Sequence, residues 1–162
     1  MLAAVLSLTV CTACGTQPEN SRFEVEAVAA SWSSGRLDVR IDQRTTLSEE
    51  ARNALQHSVP LTVTVELILR DARSGSRLEE FKRRFEIRYL PLSQRFQLTE
   101  GHDGPPRTFP RLRHALADLG RIDLSFETGV LPQGEYELLV RSYLDRGRMP
   151  PPMRLPALLS SQ

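Results

Sequence analysis

At 162 residues the chain has the length of one domain, and a domain of this size buries about two-thirds of the surface its unfolded chain exposes. Hydrophobic residues at 40% and charged residues at 25% exclude a disordered, collagen-like or coiled-coil chain. The 21 Lys and Arg against 20 Asp and Glu leave a net charge of +1, so no overall field draws the molecule onto nucleic acid or an anionic membrane.

The first 14 residues, "MLAAVLSLTVCTAC", are uncharged and almost wholly apolar. The run is too short to cross a bilayer, which takes about 20 residues, and fits the apolar region of a secretory signal. Residues 15–21, "GTQPENS", read as a polar linker. Residues 22–162 then read as a single β-rich domain with an extended, Pro-rich C-terminal tail. The expected location is periplasmic or membrane-anchored.

Cys11 and Cys14 are the only cysteines and have C-x-x-C spacing. A redox pair would need a helix N-terminus to lower the thiol pKa, and a zinc site would need two more ligands that three scattered histidines do not supply. Thr12-Ala13-Cys14 resembles a bacterial lipobox, which makes Cys14 the lipidation candidate. Cys11 stands where such motifs usually carry Leu, and no Lys or Arg precedes the apolar run. The second departure leads us to expect that the natural start lies upstream. Lipidation at Cys14, simple cleavage and an uncleaved anchor stay open, in that order.

Along the domain, "RFEVEAVAASWS" and "RLDVRIDQR" read as a hairpin, the second strand alternating Leu37, Val39 and Ile41 against Asp38, Arg40 and Asp42. Thr46 and Glu49 match a capping box opening a helix with a stripe of Leu47, Ala51, Ala54 and Leu55, and Pro60 stops it. From Leu61 the period changes to 2. Leu61, Val63, Val65, Leu67 and Leu69 face the core, with Thr62, Thr64, Glu66 and Arg70 on a wet side.

"DARSGSR" is a turn, and "FKRRFEIRYL" is the antiparallel partner strand; "PLSQRFQLTE" continues as an edge or bent strand broken at Pro91. "GHDGPPR" is an exposed loop. Thr108 caps a second helix, with Phe109, Leu112, Leu116 and Leu119 as its buried stripe, Pro110 in its first turn and Gly120 past its end. "IDLSFE" and "EYELLVRSYL" are the last strands, and "RGRMPPPMRLPALLSSQ" is extended. The predicted fold is α+β, mainly β: an antiparallel β-sandwich or strongly curved sheet of about seven strands with two covering helices.

Chemistry is sparse. His114 lies nearly opposite Leu112 and Leu116 and reads as solvated; His57 complements the dipole at the end of the first helix. His102 and Asp103, with Arg107 nearby, form the one acid-base candidate. There is no G-x-S-x-G elbow, H-E-x-x-H, Walker loop or G-x-G-x-x-G. Lys82, Arg84 and Arg88 share a strand face, but Glu86 interrupts them and no aromatic lies among them to stack on bases, so nucleic acid is not an expected partner. No catalytic residue, cofactor or metal ligand is assigned.

The order of "LDVRIDQRTTLSEEARNALQHSVPLTVTVELILR", "RRFEIRYLPLSQRFQLTEG", "TFPRLRHALADLGRI" and "YLDRGRMPPPMRLPALLSS" resembles a family of uncharacterised exported proteins of Proteobacteria, a domain of unknown function. The resemblance spans nearly the whole chain after the leader, and its more specific parts are the helix-to-strand string and "YLPLSQ". It implies export and a gene neighbourhood with a nitrogen-regulation type sensor kinase; it carries no catalytic residue. The chain departs from the family pattern in lacking a tryptophan-containing segment after the central strand and a tryptophan-bearing tail; its only tryptophan is Trp32. The functional expectation is an exported envelope protein that binds a protein partner without catalysis. The alternative is a periplasmic hydrolase or small-molecule binder built on His102 and Asp103.

Overall fold

The computed structural model describes residues 20–101 and 103–145. Residues 1–19 with Cys11 and Cys14, His102, and residues 146–162 lie outside the described residues. The elements in chain order are β1 (Arg22–Ser33), β2 (Arg36–Thr46), α1 (Glu49–Gln56), β3 (Leu61–Asp71), β4 (Arg77–Leu90), β5 (Arg95–Glu100), β6 (Arg107–Phe109), α2 (Leu112–Leu119), β7 (Arg121–Glu127) and β8 (Tyr136–Leu144).

The strands form two antiparallel sheets, one of three in the order β1-β2-β7 and one of five in the order β6-β5-β4-β3-β8. β1 and β2 are joined by Ser34 and Gly35, both at positive φ (51° and 78°), the conformation of a two-residue type I′ hairpin that matches strand twist. A register shift between Val25 and Ala27 puts a bulge in β1.

The sheets close over a single core. β2 contributes Leu37, Val39 and Ile41, and β7 contributes Ile122, Leu124 and Phe126. Facing them are Val63, Val65 and Leu67 of β3, Phe85 and Ile87 of β4, and Leu98 of β5. Each such fully buried side chain is worth about 1.5–3 kcal/mol in transfer free energy. At one open side Phe81 stacks on Phe126 with ring centroids 4.4 Å apart, and the Arg83 guanidinium lies 5.0 Å from the Phe126 centroid.

Both helices sit at the same end of the sandwich. α1 leaves the end of β2, and α2 arrives at the start of β7, which pairs with that end through Asp42 opposite Arg121. The α1 stripe read from sequence is buried as expected: Leu47, Ala51, Ala54 and Leu55 are all in the core. Among the described residues no helix is long and apolar enough to cross a membrane.

Several local expectations are corrected. The α1 cap is Ser48, whose hydroxyl accepts from the Ala51 N–H at 3.2 Å, and not Thr46, which is still in β2. α1 ends before Pro60 through Ser58 at φ 62°: Ser58 N–H donates to Leu55 O and Val59 N–H to Ala54 O, both at 2.9 Å, a Schellman closure. Thr108 and Phe109 are not helical. They form β6, with Phe109 opposite Phe96, and α2 starts after Arg111, which gives no side-chain cap. With β6 the described residues hold eight strands, one more than the seven or so expected. Thr64 and Glu66 are buried despite their outward parity, because β3 is flanked by β4 and β8, whose long side chains fold over it.

Candidate functional site

The outer face of the five-stranded sheet centres on Glu66. Lys82 of β4 and Arg141 of β8 lie directly opposite it on either side. Lys82 Nζ is 3.0 Å from Glu66 Oε1, and Arg141 Nη2 is 2.5 Å from Oε2. The Glu66 side chain is only 7% exposed against 43% and 69% for its partners. The hydrogen bond from Lys82 holds the Glu66 carboxyl below its ordinary value, with Arg141 acting in the same direction and burial opposing both. Lys82 also contacts Glu80 at 2.6 Å, and Glu80 then Glu66 raise its pKa. Arg88 pairs with Glu86 at 2.8 Å, so two of the three cations read along this strand are engaged with carboxylates of their own sheet. Arg141 also lies over the Tyr143 ring, 4.9 Å from its centroid.

Of the acid-base candidate only Asp103 and Arg107 are among the described residues. Asp103 is exposed, and Arg107 of β6 pairs with Asp118 of α2 at 2.7 Å, which ties strand to helix. His57 Nδ1 donates to the Asn53 carbonyl at 2.9 Å within its own helix end, and His114 is exposed. Among the described residues no three His, Cys, Asp or Glu side chains converge on a common point.

Two other features emerge from the packing. The first is β1. Among the described residues its only ladder is with β2, so its other edge makes no strand pairing, although β8 of the larger sheet lies close to it. From Ala27 to Ser33 it carries no charge and no proline, the devices that normally blunt an edge strand. Val28, Ala30 and Trp32 stand opposite the buried Ile41, Val39 and Leu37, so they face inward. Yet Val28 is 41% and Trp32 42% exposed. Trp32 is held in place by its indole N–H, which donates to Thr128 Oγ1 at 2.9 Å.

The second is a cleft of about 480 Å³ between α2 and the bulged part of the β1–β2 hairpin. Gln43 forms part of its wall and is only 5% exposed. Its backbone N–H donates to Gly120 O at 2.9 Å and its side-chain Nε2 to Leu119 O at 3.0 Å, which fixes the amide and orients Oε1 away from that bond. Gln43 Oε1 and the neighbouring Thr45 Oγ1 are both buried without a hydrogen-bond partner among the described residues. Arg113 and Arg121 stand at the cleft, while the Arg44 beside them is neutralised by Glu26 at 2.6 Å. Gln43, Thr45, Arg113 and Arg121 escape a sequence reading, although one signal is there: in β2 the inward positions run Leu37, Val39, Ile41 and then turn polar.

An open, two-sheet antiparallel sandwich with helices across one end, an edge strand uncharged over its second half and a polar cleft under the second helix defines a mainly-β α+β domain. The chain belongs to the family described as Domain of unknown function (DUF4390), whose model matches residues 20–162. No curated protein and no solved structure matches it.

Proposed function

We propose that the chain is an exported envelope protein, of the proteobacterial kind its sequence resembles, that works by capturing an extended segment of a protein partner along β1. The single observation that carries this reading is the open β1 edge, uncharged from Ala27 to Ser33, beside the half-exposed Val28 and Trp32. An incoming strand would gain main-chain hydrogen bonds from the edge, while its inward side chains would cover Val28, Ala30 and Trp32. Backbone pairing supplies affinity and the apolar row supplies selection, with no chemistry needed. The apolar leader supports export, the Thr12-Ala13-Cys14 run supports anchoring through a lipidated Cys14, and the family resemblance supports a partner in two-component signalling.

A photocrosslinking residue placed at Ala29 or Ser31 in the full chain, expressed in cells, tests it. The expected outcome is one envelope protein captured from both positions, not captured from Ser125 on β7, and lost when Val28→Lys and Trp32→Lys are introduced. Equal capture from Ser125, or recovery of uncrosslinked monomer alone, overturns the reading. Mass spectrometry of the mature N-terminus decides the anchoring: a diacylglyceryl Cys14, a free new terminus and an intact Met1 are three distinguishable masses.

A further inference from the structure

We infer that the cleft beneath α2 is a binding site for a small monoanionic carboxylate carrying an amide N–H, the chemistry of a peptide C-terminus. This site is separate from the β1 edge and does not depend on it.

The argument starts from what is left unpaired. A buried amide oxygen without a donor costs about 1–3 kcal/mol, and native proteins leave few such groups. Here two belong to alternate residues of β2, Gln43 Oε1 and Thr45 Oγ1; both residues line one cleft, and the two oxygens lie sealed beneath its surface, where a ligand pressed into the wall would meet them. Gln43 cannot relieve itself by turning its amide over, because Nε2 is committed to Leu119 O at 3.0 Å and an inverted amide would set two carbonyl oxygens against each other. Its free oxygen therefore asks for an N–H or O–H from outside the chain. The Thr45 hydroxyl can donate to an anionic oxygen.

Charge narrows the ligand. Arg44 and Glu26 cancel within the β1–β2 pair. Arg113 and Arg121 form no ion pair among the described residues; Arg113 Nε instead donates to His114 Nε2 at 3.3 Å, which leaves that imidazole nitrogen as an acceptor. Asp42 also lines the cleft and subtracts one charge from the total of the two guanidinium groups. The cleft is left with one positive charge in excess. A carboxylate balances it, whereas a phosphate dianion would overshoot. A planar amide N–H next to the carboxylate meets the need of Gln43 Oε1, and Leu116 with Ala117 gives the terminal side chain an apolar wall.

Isothermal titration of the full chain with N-acetyl-glycyl-leucine, and with its C-terminal amide and methyl ester as separate arms, tests the assignment. The free acid is expected to bind, and the amide and ester about tenfold more weakly or not at all, since a charge-assisted hydrogen bond is lost. Free leucine, with an ammonium in place of the acylated N–H, separates a peptide end from an amino acid and is expected to be the weaker ligand. Arg113→Gln and Arg121→Gln, both at exposed positions, are expected each to weaken the free acid several-fold, and Thr45→Val to do the same without altering the charge. No binding of N-acetyl-glycyl-leucine at millimolar concentration, or affinity equal for acid and amide and untouched by Arg113→Gln and Thr45→Val, overturns the inference.

Discussion

Gln43 and Gly120 are locked together at the point where α2 meets β2: the Gln43 N–H donates to Gly120 O at 2.9 Å, and a Cβ on Gly120 would stand 2.8 Å from the Gln43 carbonyl oxygen. The glycine is at φ −72°, so no special backbone conformation demands it. Space does. Helix propensity alone favours alanine over glycine by up to about 1 kcal/mol. The added methyl would meet two backbone oxygens, the second being Ala117 O at 3.1 Å, and neither can swing aside as a side-chain tip can. Gly120→Ala is therefore expected to lose about 1–3 kcal/mol net, read from the midpoint of urea unfolding at constant slope.

The Glu66 row makes a prediction about non-additivity. Removing Lys82 alone leaves Glu66 with Arg141, and removing Arg141 alone leaves it with Lys82. Each single change, Lys82→Met or Arg141→Met, which keeps the covering stem and removes the charge, is expected to cost about 1 kcal/mol or less, since the other cation still pairs with Glu66. The double variant leaves the carboxylate covered and unpaired and is expected to lose about 3 kcal/mol or more. A double-mutant cycle by denaturant unfolding checks it; simple additivity would mean that Glu66 is better hydrated than its burial implies.

Acid should weaken the fold through the same residue. Because the Glu66 pKa in the folded protein is lowered from its ordinary 4.5, the unfolded chain takes up the proton first as pH falls. The stabilisation is present in full above the ordinary value and is lost as pH drops through the lowered one. Glu66→Gln removes this component, so the stability gap between wild type and variant is expected to shrink from about pH 6 to about pH 3. A gap that stays constant over that range would place the titration elsewhere.

The two readings of the α1 start separate cleanly in the laboratory. Ser48→Ala is expected to cost about 1 kcal/mol, because it removes the acceptor for the Ala51 N–H at a site that is 7% exposed. Thr46→Ala, at an exposed position still within β2, is expected to change stability by about 0.5 kcal/mol or less. Thermal unfolding of both variants decides.

That pair also shows where the sequence was legible and where it was not. Period-2 alternation in β2 and β3, and the Leu47, Ala51, Ala54, Leu55 stripe, reflect one face of each element meeting one core, and such local patterns read directly. A cap needs only a hydroxyl within a turn of the helix, and Thr46 and Ser48 both offer one; the choice is made by where β2 stops pairing. Residues 107–109 read as loop and helix start because a three-residue strand has no period of its own. It exists because Phe109 finds Phe96 across β5. Glu66 looked solvated because its cover comes from two strands lying on either side of β3, which no local window contains. The cleft was hidden for a like reason: β2 announces polar inward positions at Gln43 and Thr45, but α2, more than sixty residues later, supplies the other wall.

The pairing of β2 with β7 carries a consequence for the life of the polypeptide before it is native. Arg40 and Asp123, 2.7 Å apart across that ladder, are 83 residues distant along the chain. The smaller sheet therefore cannot be completed until nearly the whole domain has emerged, and closing so wide a gap is slow compared with forming the β1–β2 hairpin. The hairpins of neighbouring strands can form early, but the shared core is sealed only when β7 lays Ile122, Leu124 and Phe126 against it, so the last strand of the smaller sheet acts as the latch of the whole domain.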